Sequence, residues 1–228
     1  MKNETLIFDE VGIRIALNFE TVPESQKKEA LLKDCGCGDS NNITDEVLRE
    51  KENALIKASY VMHICELRLM QKMAEKATEN GGDILEVGFG MGLASDAIQA
   101  NPNVTSHTII ELHPVIYEKA LEWAKDKPNV TVLLGDWINV VPTIEKKFDG
   151  IFHDTHIERN IPRFLGNIKH LSKEGTIVCF FVSPNNAKEV LNFENFKFTD
   201  EELAISPYFG DKGWNWGWTT FNGTDFTK

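Results

Sequence analysis

The sequence predicts an α/β protein whose core is an open, mostly parallel seven-stranded sheet with helices on both faces and an antiparallel pair at one edge. Three observations carry this. From residue 83 onward, short runs rich in Val, Ile and Leu alternate with segments of helical periodicity. The turns between them hold Gly, Pro, Asp and Asn, the residues that end regular structure. The last two strand-like runs follow one another with no helix between them, which suits antiparallel pairing at an edge.

Taken in order, residues 6–17 set Val11, Ile13, Ile15 and Leu17 against Gly12, Arg14 and Ala16, the alternation of a half-buried strand. Residues 24–33 read as a short helix and 35–42 as a linker rich in Gly, Asp, Ser and Asn. Thr44 is a candidate N-cap, with Asp45 and Glu46 placed where the helix dipole favours negative charge. A helical region then runs to about residue 78, with a break near Ser59, and Gly81-Gly82 ends it. Residues 1–44 thus form an arm and linker, and 45–228 a single catalytic-sized domain. Strands are expected at 83–87, 106–112, 130–134, 149–154 and 176–182, with helices at 92–100, 114–126, 138–145 and 159–171. A short helix near 185–192 precedes the final strands at 196–205 and 214–221.

Hydrophobic residues make up 42% of the 228, enough for one sizeable core. The net charge of −11 repels phosphate backbones, so nucleic acid is not expected as a partner and a cationic substrate is favoured. No apolar run approaches the length of a membrane span, and Met1-Lys2-Asn3-Glu4 lacks the layout of a secretory signal; a cytoplasmic protein is expected. Cys65 and Cys179 lie in apolar surroundings. Cys35-Gly36-Cys37-Gly38 has no second ligand pair at matching spacing, so a connector is expected and no metal.

In sheets of this kind ligands bind at the carboxyl ends of the strands. The first such end carries Glu86-Val87-Gly88-Phe89-Gly90-Met91-Gly92 and opens a helix at Leu93. Glycines let the main chain turn tightly and let a ligand approach it, although a strand-to-helix turn alone would also select them. A dinucleotide-binding turn spaces its glycines Gly-x-Gly-x-x-Gly; here the third comes one residue early and an acid precedes the first. Glu111, nineteen residues past Gly92 and followed by Leu112 and His113, can accept both hydrogen bonds of a ribose diol. Asp136 can accept from an adenine amino group and Trp137 can pack on the ring, or the pair can be a turn acid and a core tryptophan. Asp154 ends the fourth strand. His153 and His156 flank it and are read as packing or capping residues.

The run Glu86 to Gly92, with Phe148-Asp149-Gly150-Ile151-Phe152-His153-Asp154-Thr155 downstream, resembles the class I methyltransferases and within them the guanidinoacetate N-methyltransferase family. The likeness spans about 59 to 182. It implies a Rossmann-like fold, S-adenosylmethionine as methyl donor and S-adenosylhomocysteine as product. Donor-binding positions would fall on Met62, Glu86, Gly88, Phe89, Gly90, Met91, Gly92, Leu93, Glu111, Leu112, His113, Asp136 and Trp137. Asp154 would receive a guanidinium and act in catalysis, with His156 and Ser183 lining the substrate side. The family's second substrate carboxylate, five residues before the His of Tyr60-Val61-Met62-His63, is replaced by Ala58; Glu66 or Glu52 is a candidate substitute. The first tryptophan is Trp123, so the family's N-terminal tryptophan has no counterpart. The expected activity is methyl transfer to a nitrogen of a small guanidino or amino compound. Two alternatives stand beside it: a peptide or protein side chain as acceptor, and a non-catalytic protein that senses the donor.

Overall fold

The structure is a computed structural model, and it describes residues 4–8, 12–17, 60–155, 161–182, 196–198 and 215–226. The chain divides into two compact units, Met1–Ile64 and Cys65–Lys228.

In the first unit β1 (Glu4–Phe8), β2 (Gly12–Leu17) and β3 (Tyr60–His63) form an antiparallel sheet in that order. This corrects two expectations. In place of the single strand expected over 6–17 there are two strands paired antiparallel, with Phe8 opposite Ile13 and Leu6 opposite Ile15. The helix expected to run from 45 to 78 does not include Tyr60–His63, which is a strand pairing with β2. Tyr60 and Val61 suit a pleated, half-buried surface better than a helix interior, and pairing across more than forty residues decides the matter. The helix expected at 24–33 and the linker lie outside the described residues.

The second unit opens with a 3₁₀ turn and α1 (Leu67–Ala77), whose Leu69, Met70, Met73, Ala74 and Ala77 form one buried stripe. Strands and helices then alternate: β4 (Gly82–Val87), α2 (Leu93–Ala100), β5 (Val104–Glu111), α3 (Pro114–Ala124), β6 (Val130–Leu134), α4 (Trp137–Val140), β7 (Phe148–His153), α5 (Ile161–Ile168) and β8 (Ser172–Val182). β9 (Lys197–Phe198) and β10 (Asn215–Thr220) complete the seven-stranded sheet, in the order β6-β5-β4-β7-β8-β10-β9. The first five strands are parallel; β10 runs antiparallel to β8 and β9 antiparallel to β10, the expected antiparallel pair.

Alternation along β4 separates two layers. Leu85 and Val87 join a core with Trp137, Val141, Phe164, Leu165, Ile168 and Phe180, under α4 and α5. Ile84 and Glu86 point to the other face, where Glu86 meets Ser95 of α2. Strand order reverses between β4 and β7, so the chain leaves the sheet in opposite directions at their carboxyl ends and opens a crevice there.

Candidate functional site

Three backbone hydrogen bonds extend the ladder beyond the strands and fix what stands at that crevice. Gly88 N–H donates to the Ile110 carbonyl (2.9 Å), Gly135 N–H to the Glu111 carbonyl (2.9 Å) and Asp154 N–H to the Val87 carbonyl (3.1 Å). Gly88, Glu111, Asp136 and Asp154 are therefore held in one row, each at or next to a cross-link.

Gly88 has φ +93°, and a Cβ there would be driven into the carbonyl oxygen of Asp154. Only glycine fits. Gly90 and Gly92 follow with φ +56° and +78°, and Gly92 is the left-handed N-cap of α2. The loop thus presents main chain at a helix start, where N–H groups lack helical partners.

Glu111 is buried and fully oriented. Its Oε2 accepts from Phe89 N–H (2.9 Å) and its Oε1 from His113 N–H (2.7 Å). A carboxylate has about four acceptor positions, so each oxygen retains one for a diol. Leu112, beside it, exposes 38% of its surface, and His113 caps α3 by accepting from Val115 N–H at 3.2 Å. Asp136 caps α4 through Oδ1, which accepts from Ile138 N–H at 3.0 Å. The Trp137 ring is 4% exposed and packs edge-on to Phe164 at 5.1 Å in the core.

Glu86 has no exposed surface. Its Oε2 accepts from Ser95 Oγ (2.6 Å) and from His107 Nε2 (2.8 Å), while Oε1 has no hydrogen-bond partner. Phe89 is buried against Trp123 with ring centroids 5.5 Å apart, Leu93 is buried in the first turn of α2, and Met91 is half-buried. Met62 is buried in the first unit. His153 lies on Phe164 with centroids 4.0 Å apart, and burial pushes its imidazole down to about 3, so it stays neutral as a packing residue. Asp154, next in the chain, is partly exposed at the strand end. Glu66 is buried at the start of α1. His156, Ser183, Glu52, Ala58, Cys35 and Cys37 lie outside the described residues. Cys179 is fully buried, which raises its thiol well above the usual range.

The sequence reading passed over Ser95 and His107. A signal for His107 exists: it sits at an inward position of a parallel strand, two residues before Ile109, where an apolar residue is the norm.

Among solved structures, a candidate O-methyltransferase from Klebsiella pneumoniae superposes with a TM-score of 0.52, covering 86% of this chain and 96% of its own at 16% identity. Spermidine synthase from Thermotoga maritima gives 0.51 over 71% of this chain and 62% of its own at 12% identity. At such identities the likeness concerns the fold alone. The fold is that of the class I methyltransferases, the class that takes S-adenosylmethionine as methyl donor. The model of the guanidinoacetate N-methyltransferase family matches residues 11–161, and the chain belongs to that family. Curated relatives carry another name: protein arginine N-methyltransferase 2 of Yarrowia lipolytica is 36% identical over 53% of this chain and 28% of its own, and that of Saccharomyces cerevisiae 32% identical over 65% and 39%. The chain spans well under half the length of these relatives.

The residues present fit the donor. Gly88 leaves no room for a side chain where main chain must be approached, Glu111 keeps two acceptor positions for a ribose diol, and Glu86 holds one buried oxygen without a partner.

Proposed function

We propose that this protein methylates a nitrogen of an arginine side chain in a protein or peptide. The observation that carries the reading is Asp154, a carboxylate anchored through its own N–H to Val87, at the strand end that faces the glycine loop. S-adenosylmethionine supplies an electrophilic methyl group on a sulfonium when bound. Asp154 orients a guanidino group by charge-assisted hydrogen bonds and takes the proton that nitrogen sheds as its new bond forms. Holding the nucleophile in line with the methyl group contributes several kcal/mol, on the order of 7–11 for well-aligned partners. Glu111 and the loop hold the donor side rigid, because their hydrogen bonds are made within the protein. The charge of −11 favours a cationic acceptor, and the relatives named as protein arginine N-methyltransferases support a side chain over a free small molecule.

The family match favours a second reading, a small guanidino compound such as guanidinoacetate. Replacement of the second substrate carboxylate by Ala58 weighs against it. Incubation with labelled donor and a panel of arginine-containing peptides, guanidinoacetate and simple amines separates them. Label in peptide arginine is the expected result. Label in guanidinoacetate alone establishes the second reading, and label in neither, with the donor still bound, indicates a sensor.

A further inference from the structure

We propose that His107 is a positioning residue for the methyl donor: with Ser95 it fixes the buried Glu86 carboxylate in one orientation, leaving Oε1 to receive the donor's ammonium group. This rests on the donor site described above, and no step of the transfer reaction is involved.

Glu86 is fully buried, yet Oε1 has no partner, and a buried carboxylate oxygen left unsatisfied is costly. Such an atom is completed by a ligand, by an ordered water or ion, or stores strain, and its place beneath the glycine loop favours the ligand. Oε2 is over-determined by comparison, accepting from both Ser95 Oγ and His107 Nε2. Because a carboxylate only accepts, Nε2 must carry a proton, and Gln99 Nε2 at 3.3 Å from Nδ1 completes the ring by donating to it. His107 is fully buried, and Trp123 meets it edge-on at 6.2 Å. The Trp123 indole N–H is in turn held by Asp96 Oδ1 at 2.7 Å.

Placement supplies the second half. Glu86 and Glu111 lie on the same sheet face, since Glu86 is opposite Ile109 and Glu111 is two residues further along β5. Glu111 bonds Phe89 of the glycine loop, and Glu86 bonds Ser95 in the first turn of the helix that this loop opens. Two carboxylates therefore bracket the loop from beneath, one with acceptor positions suited to a diol and one with a bare oxygen suited to a cation. The donor carries both, a ribose diol and an α-ammonium group. Among the described residues no Lys or Arg reaches either carboxylate. The helix dipole of α2 accounts for some of the negative charge under its first turn, but it supplies no hydrogen bond to Oε1.

The test compares two ligands that share the adenosine and sulfur and differ in the amino-acid moiety that carries the ammonium group. S-adenosylhomocysteine carries the amino-acid moiety; 5′-methylthioadenosine lacks it. Calorimetry on His107→Leu, which removes the Nε2 proton, is expected to show homocysteine-ligand affinity reduced about tenfold, with methylthioadenosine affinity within about twofold of wild type. His107→Gln, which keeps an N–H near the Nε2 position, is expected to recover most of the loss. In a Glu86→Gln background the His107→Leu change is expected to add nothing, because the group being positioned is already altered. Equal losses for both ligands in His107→Leu, or no loss for either, overturns the proposal and leaves His107 as core packing. If His107→Leu fails to fold, as its unfolding midpoint will show, His107→Gln against Glu86→Gln decides. There, a loss in Glu86→Gln confined to the homocysteine ligand supports the proposal, and losses shared by both ligands refute it. Wild-type protein that binds neither ligand overturns the donor site itself.

Discussion

The two ends of the parallel strands use the same residue types in opposite ways. At the amino ends, acids are matched by bases. Asp83 accepts from Lys146, Ser106 and Thr105, and Asp149 accepts from the Asp83 N–H and pairs with Lys173 at 2.7 Å. Burial raises the Asp83 carboxyl, but the hydrogen bonds from Lys146, Ser106 and Thr105 together outweigh it and hold the group below its usual value. At the carboxyl ends, Glu86, Glu111 and Asp136 take their hydrogen bonds from main-chain N–H groups, a serine and an imidazole, and among the described residues no Lys or Arg pairs with them. One end ties four strands together; the other leaves its carboxylates without a cation among the described residues. On the function proposed above, electrostatic completion marks the structural end and its absence the functional one.

That contrast can be broken by substitution at either end. Its largest expected effect is at Asp154. Asp154→Asn keeps the shape and removes the charge, so turnover on the acceptor identified by the panel should fall roughly 10²-fold while donor affinity changes little. Near-normal turnover would remove Asp154 from the mechanism and make it a helix or turn cap. Next comes the donor half. Glu111→Ala should weaken S-adenosylhomocysteine binding by about 1–3 kcal/mol, and Gly90→Val should weaken it by blocking approach to main chain at φ +56°. Unchanged calorimetric affinity in both variants would refute the placement of the donor.

His153 sharpens the comparison, because it sits at the functional end yet serves packing. With its imidazole held at about 3 against an ordinary 6.5, the unfolded chain binds a proton that the folded chain refuses between those values. Stability should therefore fall as pH drops below about 6.5, with a slope approaching about 1.4 kcal/mol per pH unit from this group. His153→Phe should remove that component in urea titrations at pH 7 and pH 5; an unaltered slope would show that other groups cause the acid sensitivity. The smallest effect belongs to the amino end. Asp83 and Lys146 are 30% and 43% exposed, so Asp83→Asn should cost under about 1 kcal/mol of stability, more at low salt, and leave donor affinity untouched. A change in donor affinity there would dissolve the division between the ends.

Much of this arrangement was legible in the sequence because it is local. The alternation of apolar runs with helical segments placed the five parallel strands, and each began and ended within a few residues of its expected place, because turn residues bound it. The glycine spacing and the acids at or just past the strand ends were visible for the same reason: a strand end is defined by its own neighbours. Glu111, Asp136 and Asp154 come from this kind of signal.

Other features required pairing between distant segments. Whether Tyr60–His63 is helix or strand turns on β2, more than forty residues earlier, and β1 and β2 are two strands because each finds a partner in the other. Trp137 looks equally suited to a ligand or to a core; Phe164 and His153, from two later elements, take its ring inward. The contact of His107 with Glu86 depends on the parallel register that sets Ile84 beside His107. The sequence by itself determined the order of elements and the chemical groups at the strand ends, because periodicity and turn chemistry act over a few residues. Tertiary structure decided which of those groups are neutralised, which are buried and which remain open, because burial and hydrogen bonding are settled by residues far away along the chain.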